Sequence, residues 1–132
     1  MGLNILGTLG YVDQIRVAVY GHSMGGYLTV GLLIHNASQR IKVAAYTSAG
    51  FKYGSTPAEQ EQFAAQINAP LLMMHGTADP VPFSDSQALA DLLTRLGKPN
   101  QLIPFEGVAH DLPQTRTADV TREAIQYFTA HF

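Results

Sequence analysis

Thirteen residues, 16–28, constrain this chain more than any other stretch. Val17, Ala18, Val19 and Tyr20 form an apolar run of β-formers, Gly21-His22-Ser23-Met24-Gly25 interrupts it, and a long apolar pattern with helical spacing begins at once. A strand that runs straight into a helix needs one sharp turn, and Ser23 stands at its apex. The turn predicts a strained apex with φ above zero and a serine hydroxyl pushed out of the fold. It also predicts that Gly21 and Gly25 are required sterically, because a Cβ at either would meet the neighbouring strand or helix. The helix opening at Met24 aims free N–H groups and its positive dipole end at the same point.

The alternation continues downstream. Residues 42–47 and 101–105 read as strands, and Leu71-Leu72-Met73-Met74 is the unbroken apolar run of a strand covered on both faces. The helix after Ser23 reaches residue 36. Leu28, Leu32 and Leu33 on one side and Val30 and Ile34 on the other imply burial all round. A second helix starts with Thr56 as cap, Pro57 in the first turn and Glu59 closing a capping box, with Phe63, Ala64 and Ile67 facing inward. A third spans residues 84–96, with Leu89, Leu92, Leu93 and Leu96 on one stripe and Gly97 as terminator. The last begins at Thr117 and carries Val120, Ala124, Ile125 and Phe128. Residues 2–10 read as the tail of a helix closed by Gly10. Strands separated by helices call for parallel pairing with right-handed crossovers. The expectation is an α/β chain, a three-layer αβα unit with a parallel sheet of four strands, forming one domain over residues 1–132.

Composition narrows the function classes. The chain of 132 residues is 46% hydrophobic and 14% charged, which suits a packed core rather than a disordered tail. A net charge of −2 with no basic run gives no argument for nucleic acid or an anionic membrane. No segment approaches the ~20 apolar residues of a membrane span. The apolar N-terminus lacks a preceding cation and a cleavage site, which argues against a signal peptide and leaves a cytoplasmic location as the expectation. The absence of cysteine excludes disulfides and thiol catalysis. No His, Asp or Glu cluster has metal-ligand spacing, so neither a metal nor a cofactor is expected.

In a parallel sheet, ligands bind outside the carboxyl ends of the strands. Ser23, Asp79 and His110 follow the first, third and fourth strands there. A serine hydroxyl is a weak nucleophile; it needs a base in hydrogen-bond contact, and the base needs a carboxylate to fix its tautomer. Asp85 and Asp111 are weaker substitutes for Asp79. His22, beside the serine, is expected to line the pocket and touch substrate. His75 suits a structural role, hydrogen-bonding the acid loop, and Glu106 shapes the turn before His110. His35 and His131 read as surface residues.

The order Ser, Asp, His is the one used by α/β-hydrolases, and three segments carry a resemblance to that superfamily. Gly21-His22-Ser23-Met24-Gly25-Gly26 resembles its nucleophile elbow, residues 72–82 its acid loop, and residues 105–110 its histidine loop. The flavour is similar to dienelactone-hydrolase-like and prolyl-oligopeptidase-like members. The resemblance implies Ser23 as nucleophile, His110 as general base and acid, Asp79 as orienting carboxylate and the N–H of Met24 as an oxyanion donor. The implied activity is hydrolysis of small carboxylic esters through an acyl-enzyme.

The resemblance covers only the C-terminal half of the superfamily fold. The other half normally supplies a second oxyanion N–H, and one such donor is worth about 2.7–4 kcal/mol of transition-state stabilisation. The first strand, residues 16–20, would then present a bare apolar edge that invites pairing. A two-fold homodimer with these edges antiparallel is the expected partner arrangement. The short connection after the second strand leaves little room for a lid, which favours small, soluble acyl substrates. The competing reading is a half-domain with little turnover that dimerises or binds.

Overall fold

The computed structural model describes residues 4, 5 and 7–132. The helical tail expected over residues 2–10 lies partly outside the described residues; Asn4 and Ile5 within it are helical. From there the elements run β1 (Val17–His22), α1 (Met24–Ile34), β2 (Ile41–Thr47), α2 (Pro57–Ala65), β3 (Leu71–Gly76), α3 (Phe83–Arg95), β4 (Asn100–Phe105), α4 (Leu112–Thr115) and α5 (Thr117–His131).

The four strands form one parallel sheet in the order β1-β2-β3-β4. Each crossover advances the sheet in the same direction, and right-handed crossovers then place all three connecting helices on one face. The core divides accordingly. Val30, Leu33 and Ile34 of α1 and Leu89 and Leu93 of α3 pack with Ala44, Tyr46, Leu71 and Met73. On the other face, Leu112, Val120 and Tyr127 pack with Val43, Ala45, Leu72 and Met74. Alternate residues of β2 and β3 therefore serve opposite layers, which is why residues 43–46 and 71–74 are unbroken apolar runs. The expected three-layer α/β fold with four parallel strands is what the chain adopts.

Local chemistry sets the helix starts. Thr56 Oγ1 accepts the N–H of Glu59 at 3.2 Å, with Pro57 in the first turn. The Glu59 carboxylate reaches one residue further back than a capping box requires, to the N–H of Ser55 at 2.7 Å. Gly97, with φ 71, ends α3 as expected.

One expectation fails. The helix after Ser23 is not buried all round: Met24 is 75% exposed, Leu28 61% and Leu32 49%. Those positions lie on the side of α1 turned away from the sheet, and no element of the described chain covers them. The two sheet edges also differ. Edge strand β4 carries Pro104, which cannot donate to a further strand. Edge strand β1 carries neither proline nor a charged residue between Val17 and Tyr20. No helix of the described residues is long and apolar enough to cross a membrane.

Candidate active site

The elbow forms where the sequence demands it. Ser23 has φ 55 and ψ −118, a backbone that an L-residue rarely adopts. Two contacts over-determine it: the N–H of Ser23 donates to Thr47 O at the end of β2 at 2.9 Å, and Ser23 O accepts from Gly26 N at 2.8 Å. At Gly21 a Cβ would run into the Gly25 carbonyl and lie 2.6 Å from Thr29 Oγ1, so only glycine fits. The matching expectation for Gly25 is wrong, since a Cβ there would have nothing within 4 Å. The closely packed residue is Gly26, where a Cβ would lie 2.5 Å from Ala49 Cβ and 3.1 Å from Tyr46 Cβ. Helix α1 sits down on β2 through that position.

Three loops bring Ser23, Asp79 and His110 together although 87 positions separate the first from the last. His110 Nε2 lies 2.8 Å from Ser23 Oγ, and His110 Nδ1 lies 2.9 and 3.1 Å from the two carboxylate oxygens of Asp79. An ionised carboxylate only accepts, so the His110 proton sits on Nδ1 and Nε2 receives the Ser23 hydroxyl proton. The Asp79 side chain is fully buried while that of His110 is 39% exposed. Asp79 Oδ1 also accepts the N–H of Val81 at 2.8 Å, which fixes the carboxylate in its own turn. Neither Asp85 nor Asp111 takes that place. Met24 opens α1 directly after Ser23, and its N–H belongs to the first turn, which has no intrahelical acceptor.

Behind the acid loop lies a buried polar network. His75 Nε2 donates to Val81 O at 2.8 Å, and His75 Nδ1 lies 2.7 Å from Ser86 Oγ. Ser86 Oγ also lies 2.7 Å from the Tyr46 hydroxyl and 2.8 Å from Ala49 O. His75 is therefore a structural clamp across residues 79–81, and it approaches Asp79 Oδ2 at 3.7 Å. Burial drives the Tyr46 phenol well above its ordinary range, so it stays a neutral donor. On the histidine side, Thr77 Oγ1 accepts the N–H of Gly107 at 2.9 Å and donates to Glu106 at 3.3 Å, so Glu106 does shape the turn before His110.

His22 packs beside His110, with ring centroids 5.0 Å apart. Burial first, and His110 second, hold its imidazole below the ordinary value of 6.5. Its Nδ1 lies 2.8 Å from Thr47 Oγ1. Thr47 and Ser48 are site-forming residues that sequence reasoning missed: Ser48 is buried with φ 59, and its N–H donates to Met74 O at 3.0 Å. A second positive φ one strand away from Ser23 has no signature in a run of small residues. Among the described residues no group of three or more His, Asp or Glu could hold a metal.

An imidazole held by a carboxylate on one nitrogen and by a serine hydroxyl on the other can take the hydroxyl proton as the oxygen attacks a carbonyl. Comparison with known proteins places the chain among relatives of the same fold. The chain is 28% identical to dipeptidyl peptidase 8 of Homo sapiens, over 77% of its own length and 14% of the relative's. It is 31% identical to dipeptidyl aminopeptidase B of Saccharomyces cerevisiae, over 74% of this chain and again 14% of the relative. Among solved structures it superposes on dipeptidyl peptidase 4 of Porphyromonas gingivalis with a TM-score of 0.79 at 22% identity, covering 98% of this chain and 22% of that one. A puromycin-hydrolyzing peptidase of Mycobacterium tuberculosis gives a TM-score of 0.82 at 20% identity, with 98% and 24% covered. The chain thus spans about a seventh of the length of these curated relatives. The profile of the dienelactone hydrolase family matches residues 1–129, and the chain belongs to that family.

Proposed function

We propose that this chain is a serine hydrolase that cleaves small carboxylic esters through an acyl-enzyme. The observation that carries the reading is the continuous line from Asp79 through His110 to Ser23, at 2.9 and 2.8 Å. Ser23 Oγ attacks the carbonyl carbon while its proton passes to His110 Nε2. The oxyanion forms against the N–H of Met24 and the positive end of α1. As it collapses, the bond to the alcohol oxygen breaks and His110 returns the proton to that oxygen. Water then repeats the sequence, giving its proton to His110 and releasing the acid. Asp79 holds the His110 tautomer and stabilises the imidazolium formed in each half.

The names of the curated relatives make amides the competing substrate class. Within the described residues the elbow offers one oxyanion donor, the Met24 N–H, and a second is worth about 2.7–4 kcal/mol; esters, which need that stabilisation less, are the proposed class. An amide, with its poorer leaving group, needs that stabilisation more. The test compares wild type with Ser23→Ala on a short-chain p-nitrophenyl ester and on an aminoacyl p-nitroanilide. A burst of p-nitrophenol from wild type alone, with far slower anilide cleavage, is the expected result. Equal release by the two proteins leaves only the alternative, a weakly active or inactive binding module.

The unblunted β1 edge supports a second proposal, a homodimer. A two-fold axis perpendicular to the sheet would set β1 antiparallel to its copy and keep each face on its own side. The exposed Ile125, which shares a cavity with Tyr20 of β1, would then lie beside the seam.

A further inference from the structure

Thr47, the last residue of β2, is fully buried, and three of its contacts bear on the site. Its carbonyl accepts the Ser23 N–H. Its hydroxyl lies 2.8 Å from Nδ1 of His22 and 2.9 Å from the hydroxyl of Tyr20. Tyr20 and His22 are two residues apart on β1, so both project from the same face, the one that α5 covers. A threonine hydroxyl has one proton to give and lone pairs to receive another. It can take the Tyr20 proton and give its own to His22, or accept from His22 and donate to Tyr20. Either way the His22 ring is anchored on its inner nitrogen.

The outer side of that ring faces His110, tilted by 42°. His110 stands on a loop and is partly exposed, so its ring is held by Asp79, by Ser23 and by this neighbour. We propose that Tyr20 and Thr47 make His22 a positioning residue, a fixed wall that keeps the His110 ring from swinging off the Ser23 hydroxyl. The inference rests on the proposed function above and extends it to residues that touch no reacting atom. The wall must also be neutral, because His110 becomes an imidazolium as Ser23 attacks and a like charge beside it would oppose that step. The groups facing His22 are His110, the more distant Asp79 carboxylate and the Tyr20 phenol. Burial and His110 outweigh the opposing pull of Asp79.

The test uses the full chain and an alkyl fluorophosphonate. Ser23 Oγ bonds to phosphorus, the P–F bond breaks, fluoride leaves and the serine proton goes to His110. Labelling followed by intact mass separates the maximal rate, kinact, from the binding constant, KI. Thr47→Val is expected to lower kinact on the order of tenfold with KI unchanged. Thr47→Ser, which keeps the hydroxyl, restores the rate, and Tyr20→Phe gives a loss of a few-fold. A merely structural Thr47 would lower the melting temperature and leave kinact of the folded protein alone. Should Thr47→Val fold poorly, Tyr20→Phe at a 43% exposed position decides. Unchanged kinact in these variants, with Ser23→Ala unlabelled, overturns the inference and leaves the hydrolase reading standing. A parent that is not labelled, or is labelled as fast as Ser23→Ala, overturns both.

Discussion

Gly76→Ala is the most direct test of how the site is held together. Gly76 ends β3 and pairs in register with Phe105 of β4. A Cβ there would run into Val108 O, lie 2.6 Å from Val108 C and 3.0 Å from Ala109 O. Ordinary carbon contacts begin near 3.5 Å, so the Val108 carbonyl carbon must retreat by about 0.9 Å and its oxygen by more. Val108 precedes His110 by two residues, and its carbonyl accepts the N–H of Ala78 at 3.0 Å, one residue before Asp79. The methyl therefore acts as a wedge between the two loops that hold the Asp79 to His110 bond. Breaking one such hydrogen bond costs about 1 kcal/mol, and overpacking adds about 1–3 kcal/mol. A loss of about 2–4 kcal/mol and a melting temperature lower by roughly 8–16 °C follow for a chain of this size. A misplacement near 1 Å is worth about a hundredfold in rate. Fluorophosphonate labelling well below the melting temperature reads geometry rather than unfolding, and Gly25→Ala serves as control because its Cβ meets nothing. A Gly76→Ala protein that labels and melts like the parent would refute the account of how these loops are registered.

Ser86→Ala strands three partners at once, His75 Nδ1, the Tyr46 hydroxyl and Ala49 O. An unsatisfied buried group costs about 1–3 kcal/mol, so urea titration should show a loss of about 3 kcal/mol or more. His22, whose folded value is depressed, binds fewer protons in the native than in the unfolded chain just below 6.5. Its contribution is thus present above the unfolded value and lost as pH falls through the folded one; His22→Phe should flatten the slope of melting temperature against pH in that window. For the paired β1 edges, light scattering at micromolar concentration should give twice the chain mass, and Ile125→Lys, beside Tyr20 of β1, should weaken the dimer. A monomeric parent ends that proposal.

The fold was legible because its signals are local and redundant. A single strand-turn-helix unit and three apolar runs spaced by helices leave one topology class, and the residues of the candidate site follow the ends of β1, β3 and β4. The site was legible for the same reason: Ser23, Asp79 and His110 each follow a strand, and parallel strands put their carboxyl ends together. What escaped were features set by packing across the sheet. Gly25 and Gly26 look alike in sequence, yet only Gly26 lies against Ala49 and Tyr46. Helix α1 is apolar all round, but apolarity records what a surface could bury rather than what the described chain places there. Thr47 reads as an ordinary strand residue until register sets it beside His22 and within reach of Tyr20.

These particulars separate two properties that usually travel together. The nucleophile elbow is held by contacts among β1, α1 and the end of β2: the Ser23 N–H on Thr47 O, and Gly26 on Ala49 and Tyr46. His110 and Asp79 are held by β3, β4 and the network around Ser86. None of these contacts crosses the bare β1 edge, so the geometry around Ser23 is set within these four strands and their helices. Stabilisation of the oxyanion is different, because its usual second donor comes from the half of the superfamily fold beyond that edge. Phosphonylation expels fluoride, a good leaving group, and leans less on a completed hole than rapid amide turnover does. A polypeptide that takes the second copy's place on β1 and also brings a loop N–H to the oxyanion should therefore leave fluorophosphonate labelling within a few-fold and raise amide hydrolysis by about 10²–10³, the worth of one oxyanion donor. Equal gains in both reactions would mean that the edge supports the Ser23, His110 and Asp79 geometry itself, contrary to every contact that fixes it.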